Sequence, residues 1–88
     1  MIFSDGGIHA HTQHLKTLLK KIPTDIQIYL HIGADGRDTP PDSLPRYIHL
    51  FDSEIQSRRL VVSSLFGRYF GFDRADNWDR VEKAYRVM

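Results

Sequence analysis

Cysteine is absent from this chain of 88 residues, so it can form neither a disulfide nor a thiolate metal site. This composition fits a reducing cytosol, and we expect a cytoplasmic protein. No apolar run is long enough to span a bilayer, and no secretory signal pattern is present. The formal net charge is only +1, so neither a general nucleic-acid surface nor a membrane surface is predicted.

Lysine is also scarce, because the chain has four lysines against eight arginines. Arginine carries a planar fork of donors that matches carboxylate and phosphate groups, so the excess favours recognition of small anions. The length allows one small domain. The first four residues read like the end of a strand, and Met88 falls on a helical apolar face without a stop signal. We therefore expect residues 1–88 to be part of a larger domain, truncated at both ends.

Apolar periodicity predicts the first three elements. After the short strand at the start, leucines recur at helical spacing over roughly residues 11 to 22, with Thr12 as a candidate N-cap and Pro23 as the stop. Residues 26 to 32 then alternate between apolar and polar side chains, which predicts a strand.

The second half of the chain repeats this alternation. A helix is predicted over residues 44 to 55, capped by either Thr39 or Ser43; we prefer Ser43 because Pro45 then lies in the first turn. The apolar run over residues 60 to 65 predicts a strand buried on both faces. A last apolar stripe predicts a final helix, marked by Trp78, Val81, Tyr85 and Met88. The order β-α-β-α-β-α predicts an α/β fold with a mostly parallel sheet.

Each predicted strand is followed by a polar loop, at residues 5–11, 35–38 and 67–74. The carboxyl ends of parallel strands share one edge of a sheet, where open α/β sheets bind their ligands. We therefore expect polar side chains to converge at this edge: His9, His11, Arg37, Asp38, Arg68 and Arg74.

The loop that begins at Asp35 has two readings. Arg37 could bind an anion while Asp38 accepts hydrogen bonds from neighbouring hydroxyls. Alternatively, Arg37 pairs with Asp35 or Asp38 in a turn that satisfies itself, since turns attract Asp and Gly anyway.

The first and third loops also have more than one interpretation. Asp5, His9, His11 and His14 have a spacing that suits a metal site, an anion site at a helix start, or simple helix caps. The aromatic side chains of residues 69–72 suit stacking of single-stranded nucleic acid, or a packed lid in which Arg68 or Arg74 pairs with Asp73 or Asp76. A third reading has the two arginines binding a small phosphorylated acid.

Four motifs, in order along the chain, resemble the cofactor-independent phosphoglycerate mutases. They are SDGGIHAH (residues 4–11), DGRDTPP (35–41), GRYF with DR (67–70 and 73–74), and WDRV followed by AY (78–81 and 84–85). The resemblance covers nearly the whole chain. It places the chain within the phosphotransferase domain, an α/β domain inserted into an alkaline-phosphatase-like domain.

The resemblance implies an enzyme that interconverts 3-phosphoglycerate and 2-phosphoglycerate in glycolysis. In this family a serine of the phosphatase-like domain carries the phosphoryl group, and two Mn²⁺ ions there activate it. Neither that serine nor the metal ligands lie in this segment, so it is expected to contribute no catalytic residue, to bind no metal and to be inactive alone.

By motif, the implied substrate-binding residues are His9, Arg37, Asp38, Arg68 and Arg74, and His9 is then no longer favoured as a metal ligand. The implied partners are phosphoglycerate and a phosphatase-like domain of the same or another chain. The alternative is a non-enzymatic anion-binding module, or the relic of a broken gene.

Overall fold

The computed structural model describes all 88 residues as three strands and five helices. The strands are β1 (Ile2–Phe3), β2 (Ile28–Ala34) and β3 (Leu60–Gly67). The helices are α1 (Thr12–Lys21), α2 (Leu44–His49), α3 (Asp52–Gln56), α4 (Arg68–Gly71) and α5 (Trp78–Val87). The sheet order is β1-β2-β3 and both pairings are parallel, which confirms the predicted α/β fold. None of the five helices combines the length and the apolar character that a bilayer-spanning helix needs.

The apolar core lies against the central strand β2. Leu30 and Ile32 of this strand are buried, as the alternating pattern predicts. The rings of Phe3 and Phe51 meet with centroids 5.3 Å apart, so the first strand and the α2–α3 junction share one cluster. Its buried members are Phe3, Leu15, Leu19, Leu30, Ile32, Tyr47, Phe51 and Leu60.

The N-cap of α1 is His11, so the prediction of Thr12 is wrong. Nδ1 of His11 accepts a hydrogen bond from the Gln13 N–H at 3.1 Å, and the His11 backbone is extended, as an N-cap requires. Thr12 already belongs to the helix and is buried. A ring nitrogen of histidine thus takes the role that a hydroxyl or carboxylate usually fills.

The single helix predicted over residues 44 to 55 is two short helices. Ser43 occupies the N-cap position of α2 as predicted, but its hydroxyl bonds to Thr39 and to the Pro40 carbonyl instead of capping the helix. The break falls at Leu50 and Phe51, where the Leu50 N–H bonds to the Tyr47 carbonyl in a tight turn. This turn directs the Phe51 ring into the core, where it is fully buried.

Strand β3 is an edge strand, and the prediction that both of its faces are buried is wrong. It pairs only with β2, and the register steps from Leu30–Val62 to His31–Ser64, so Ser63 is the extra residue of a bulge. Leu65 and Val62 remain 48% and 37% exposed.

The final helix forms where the sequence predicts it, but its apolar stripe faces outward. Trp78 and Tyr85 are about three-quarters exposed, whereas the buried residue of α5 is Ala84. Helix α5 therefore packs through its small residue, and periodicity alone identified the helix without identifying its buried face.

Arg59, just before β3, holds the end of α1. One guanidinium nitrogen, Nη2, donates to the carbonyls of Leu19 and Ile22 at 2.5 and 2.7 Å. These carbonyls belong to the last turn of α1, where intrahelical partners run out. The neighbouring Nε is buried without a hydrogen-bond partner.

Replacing Arg59 with lysine should lower the free energy of unfolding by about 1–2 kcal/mol, since the lysine side chain is one atom shorter and its ammonium cannot reach both carbonyls from the position of Nη2. Urea denaturation followed by circular dichroism measures this difference. The matched control is Arg58→Lys, at an exposed position, which should stay within about 0.5 kcal/mol of the parent. Equal losses in the two variants would contradict the role given to Arg59.

Candidate functional site

The carboxylate of Asp35 joins the loops that follow all three strands. Its Oδ1 accepts from the backbone N–H groups of Gly36, Arg37 and Asp38 at 2.8, 3.1 and 3.1 Å. Its Oδ2 accepts from the Ser4 hydroxyl at 2.8 Å, just after β1. Oδ1 also accepts from Arg68 Nη1 at 2.9 Å, just after β3. A single side chain therefore fixes the loop of β2 and ties it to its neighbours on both sides.

Asp35 is charged although its side chain is only 3% exposed. Burial by itself raises the pKa of this carboxyl. The N–H of Arg37, the hydroxyl of Ser4, the N–H of Asp38 and the guanidinium of Arg68 together outweigh that effect and lower the pKa from 3.8 to about 2. The carboxylate is therefore ionised throughout the physiological pH range.

Arg68 contacts two of the other residues that the resemblance implies as substrate ligands, Asp38 and His9. Its Nη1 donates to Asp38 Oδ2 at 2.8 Å as well as to Asp35, and its Nη2 lies 3.2 Å from Nε2 of His9. The guanidinium can only donate, so Nε2 of His9 is the acceptor in this contact. His9 also lies 3.8 Å from Asp38. The hydrogen bond to Asp38 raises the pKa of Arg68, against the opposite effect of burial.

The alternative interpretation of residues 35–38, in which Arg37 pairs with Asp35 or Asp38, is wrong. Arg68, not Arg37, pairs with Asp35 and Asp38. Arg37 forms no ion pair with any carboxylate of the chain, and neither does Arg74. Two of the three predicted arginines thus keep their charge available for a ligand.

These arginines share one open pocket of about 660 Å³ at the carboxyl edge of the sheet. Its charged lining residues are two carboxylates, Asp35 and Asp73, and four arginines: Arg37, Arg68, Arg74 and Arg80. A smaller pocket of about 370 Å³ adjoins it, lined by His9 together with Arg68 and Arg74. Of the five implied substrate residues, all but Asp38 line these pockets, and Asp38 touches Arg68. The positive excess favours an anion.

Asp73 organises the segment around Arg74, a role that sequence reasoning missed. Its carboxylate accepts from the N–H groups of Ala75 and Asn77 at 3.1 and 2.8 Å, and from the Asn77 side chain at 3.0 Å. Hydrogen bonding by the Asn77 N–H is the main reason why the pKa of Asp73 is lowered. The only sequence signal was an Asp followed four residues later by Asn, a pattern typical of side-chain-stabilised turns.

Arg80 was not selected as a site residue from the sequence, yet it lines the larger pocket. Its Nη1 lies 3.3 Å from Asp73, and its guanidinium stacks over the Tyr69 ring at 4.0 Å from the centroid. Tyr69 and Phe70 in turn meet edge to face. These aromatic side chains contact α5 and each other, but Tyr69 remains 61% exposed. Asp73 pairs with Arg80, so the packed-lid interpretation, in which Arg68 or Arg74 pairs with Asp73 or Asp76, is wrong about the arginine.

The histidines of the first loop do not gather at one point. His11 caps α1, His9 faces Arg68, and Asp5 accepts from the Tyr47 hydroxyl at 2.6 Å. No group of three or more His, Cys, Asp or Glu side chains in the structure could hold a metal ion. His31 lies apart from this loop, with its Nδ1 2.7 Å from the Ser64 hydroxyl across the bulge.

Replacing Asp35 with asparagine should remove about 2 kcal/mol of stability at pH 7, which is the free energy that corresponds to a pKa lowered from 3.8 to about 2. A lowered pKa stabilises the fold at neutral pH, and this contribution disappears as the pH falls from about 4 to about 2. The variant should therefore lose less stability than the parent over that interval. Urea denaturation at several pH values measures both effects.

The matched control is Asp52→Asn, because the Asp52 side chain is more than half exposed. This variant should keep the acid sensitivity of the parent. If Asp35→Asn and the parent lost the same stability between pH 4 and pH 2, Asp35 would not be the group that titrates.

Comparison with known proteins identifies the family of this chain. The chain matches the family model described as "BPG-independent PGAM N-terminus" over residues 1–88. It is 40% identical over 90 aligned positions to the 2,3-bisphosphoglycerate-independent phosphoglycerate mutase of Flavobacterium johnsoniae. It is 41% identical to the proteins of the same name from Francisella tularensis subsp. novicida and Syntrophotalea carbinolica. Each alignment covers 99% of this chain and 18% of the relative. The chain therefore spans less than a fifth of the length of these relatives, and it belongs to the 2,3-bisphosphoglycerate-independent phosphoglycerate mutase family.

Proposed function

We propose that this chain provides the substrate-binding rim of a phosphoglycerate mutase that interconverts 3-phosphoglycerate and 2-phosphoglycerate in glycolysis. Residues 1–88 would form part of its phosphotransferase domain and act in the cytoplasm. The observation that carries the proposal is the shared pocket of Arg37, Arg68 and Arg74, in which Arg37 and Arg74 have no carboxylate partner. Phosphoglycerate carries both a phosphate and a carboxylate, the two groups that arginine binds in bidentate fashion.

Each proposed substrate residue has a distinct role. Arg37 and Arg74 would bind the phosphate and the carboxylate, because their charges are not offset by other residues. Asp38 would accept from a glycerate hydroxyl, and His9 would donate to the substrate once its ring turns away from Arg68. Arg68 already has two carboxylate partners, so an anionic substrate has to compete with Asp38 for it.

The phosphoryl transfer itself is assigned to another domain. The residues of this chain do not fit the two Mn²⁺ ions of the family, since the acids at this rim are held by Arg68, Arg80 and backbone N–H groups. We propose that a phosphatase-like domain, in the same or another chain, supplies the nucleophilic serine and the metals, while the rim described here retains the glycerate.

Titration of the chain with 3-phosphoglycerate in a calorimeter tests the binding role. Arg37→Ala should weaken binding about 10- to 100-fold, the range expected for losing one charged hydrogen-bonding group. Arg86→Ala is the matched control, because Arg86 pairs with Glu82 on the exposed face of α5, and it should stay within about twofold of the parent.

Equal affinities of the parent and Arg37→Ala would remove Arg37 from the site. Equal affinities of the parent for 3-phosphoglycerate and for inorganic phosphate would favour the alternative function, a module that binds small anions without selecting the glycerate.

The chain alone should not convert 3-phosphoglycerate to 2-phosphoglycerate, even with added MnCl2, because it lacks a metal-ligating cluster. Phosphorus NMR separates the two compounds and measures the conversion directly, with a full-length mutase as the positive control. Catalytic appearance of 2-phosphoglycerate with the purified chain would contradict the assignment of the chemistry to another domain.

A further inference from the structure

Two glycines lie in or beside the arginine-bearing segment, residues 68–74, which carries Arg68 and Arg74. Aromatic rings occupy the space that their missing side chains leave. A Cβ on Gly33, in β2, would lie 2.5 Å from Cε2 and 2.9 Å from Cζ of Phe72. A Cβ on Gly71 would likewise overlap the Phe66 ring. The two rings pack together with centroids 5.8 Å apart. Neither glycine has a positive φ, so neither position needs glycine for its backbone conformation. What both positions require is the absence of a side chain.

Phe72 is coupled directly to both ends of the arginine-bearing segment. Its N–H donates to the Arg68 carbonyl at 3.0 Å, which closes the single turn of α4. Its side chain lines both pockets together with Arg68 and Arg74. The depth of the Phe72 ring in the space above Gly33 therefore affects the positions of Arg68 and Arg74 relative to β2.

The other side of the segment is already fixed. Asp73, the next residue, is held by the N–H groups of Ala75 and Asn77 and by Arg80. A Cβ added at Gly33 would displace the Phe72 ring. The backbone of Phe72 bonds to Arg68 and lies two residues before Arg74, so a displacement of Phe72 is passed to the arginines through these short connections.

We propose that Gly33 and Phe72 form a positioning pair, in which the ring packed on the bare backbone of β2 sets the spacing of Arg68 and Arg74 that the ligand requires. The identity of the ligand as phosphoglycerate rests on the proposed function. The positioning itself rests on the contacts of the ring, which are independent of the ligand. A binding constellation has to be held within a fraction of an ångström by such supporting contacts.

The test adds one methyl group and then makes room for it. Gly33→Ala should weaken binding of 3-phosphoglycerate about tenfold, measured by calorimetry, because it displaces the arginines without removing them. Phe72→Leu removes the outer ring atoms that the methyl group meets. In that background, adding Gly33→Ala should change the affinity by no more than about twofold.

Ser63→Thr is the control, because it also adds one methyl group to a strand, at an exposed position that lines neither pocket. It should leave the affinity within about twofold of the parent. Thermal unfolding of each variant separates a loss of affinity from a loss of fold. If Gly33→Ala does not fold, the comparison of Phe72→Leu with the double variant decides, and a tenfold loss there would overturn the proposal.

Equal affinities of Gly33→Ala and Ser63→Thr would also overturn it, as would a loss that Phe72→Leu does not relieve. If the parent chain binds no 3-phosphoglycerate, the proposed function fails and the pair is judged by NMR. A shift of the Arg68 Nε–Hε signal in Gly33→Ala, reversed in the double variant and absent from Ser63→Thr, supports the pair. An unchanged signal refutes it.

Discussion

An ionised carboxylate that is almost fully buried has to be surrounded by donors, and at Asp35 this requirement organises one whole edge of the sheet. The donors come from the end of β1, from the turn after β2 and from the start of α4. Each loop is thereby fixed relative to the other two before any ligand arrives. The removal of any one donor would leave part of a buried charge unsatisfied, which is costly in a domain of this size.

The four arginines that line the pocket are of two kinds. Arg68 and Arg80 are held by carboxylates and act as parts of the scaffold. Arg37 and Arg74 have no such partner, so the electrostatic potential of the pocket comes mainly from them. A site built in this way attracts anions without the cost of first breaking ion pairs at every cationic group.

The order and type of the main elements could be predicted from the sequence, because periodicity at 2 and 3.6 residues records which positions are buried. The convergence of three polar loops followed from the parallel order of the strands. The partner of Asp35 could not be predicted, since Arg37 and Arg68 are chemically equivalent and only the backbone path decides between them. The contact of Phe72 with Gly33 joins residues 39 positions apart, and the outward stripe of Trp78 and Tyr85 depends on how α5 docks through Ala84.

The bulged edge strand β3 has a consequence for handling the protein. Its eight residues contain no charge and no proline, and its outer hydrogen-bonding groups face no further strand. Charge and proline are two of the usual protections of an edge strand, so the bulge is the protection that β3 has, and the side chains of Val62 and Leu65 remain exposed to other chains. The strand leads directly into Arg68, so self-association through β3 would also obstruct the anion pocket.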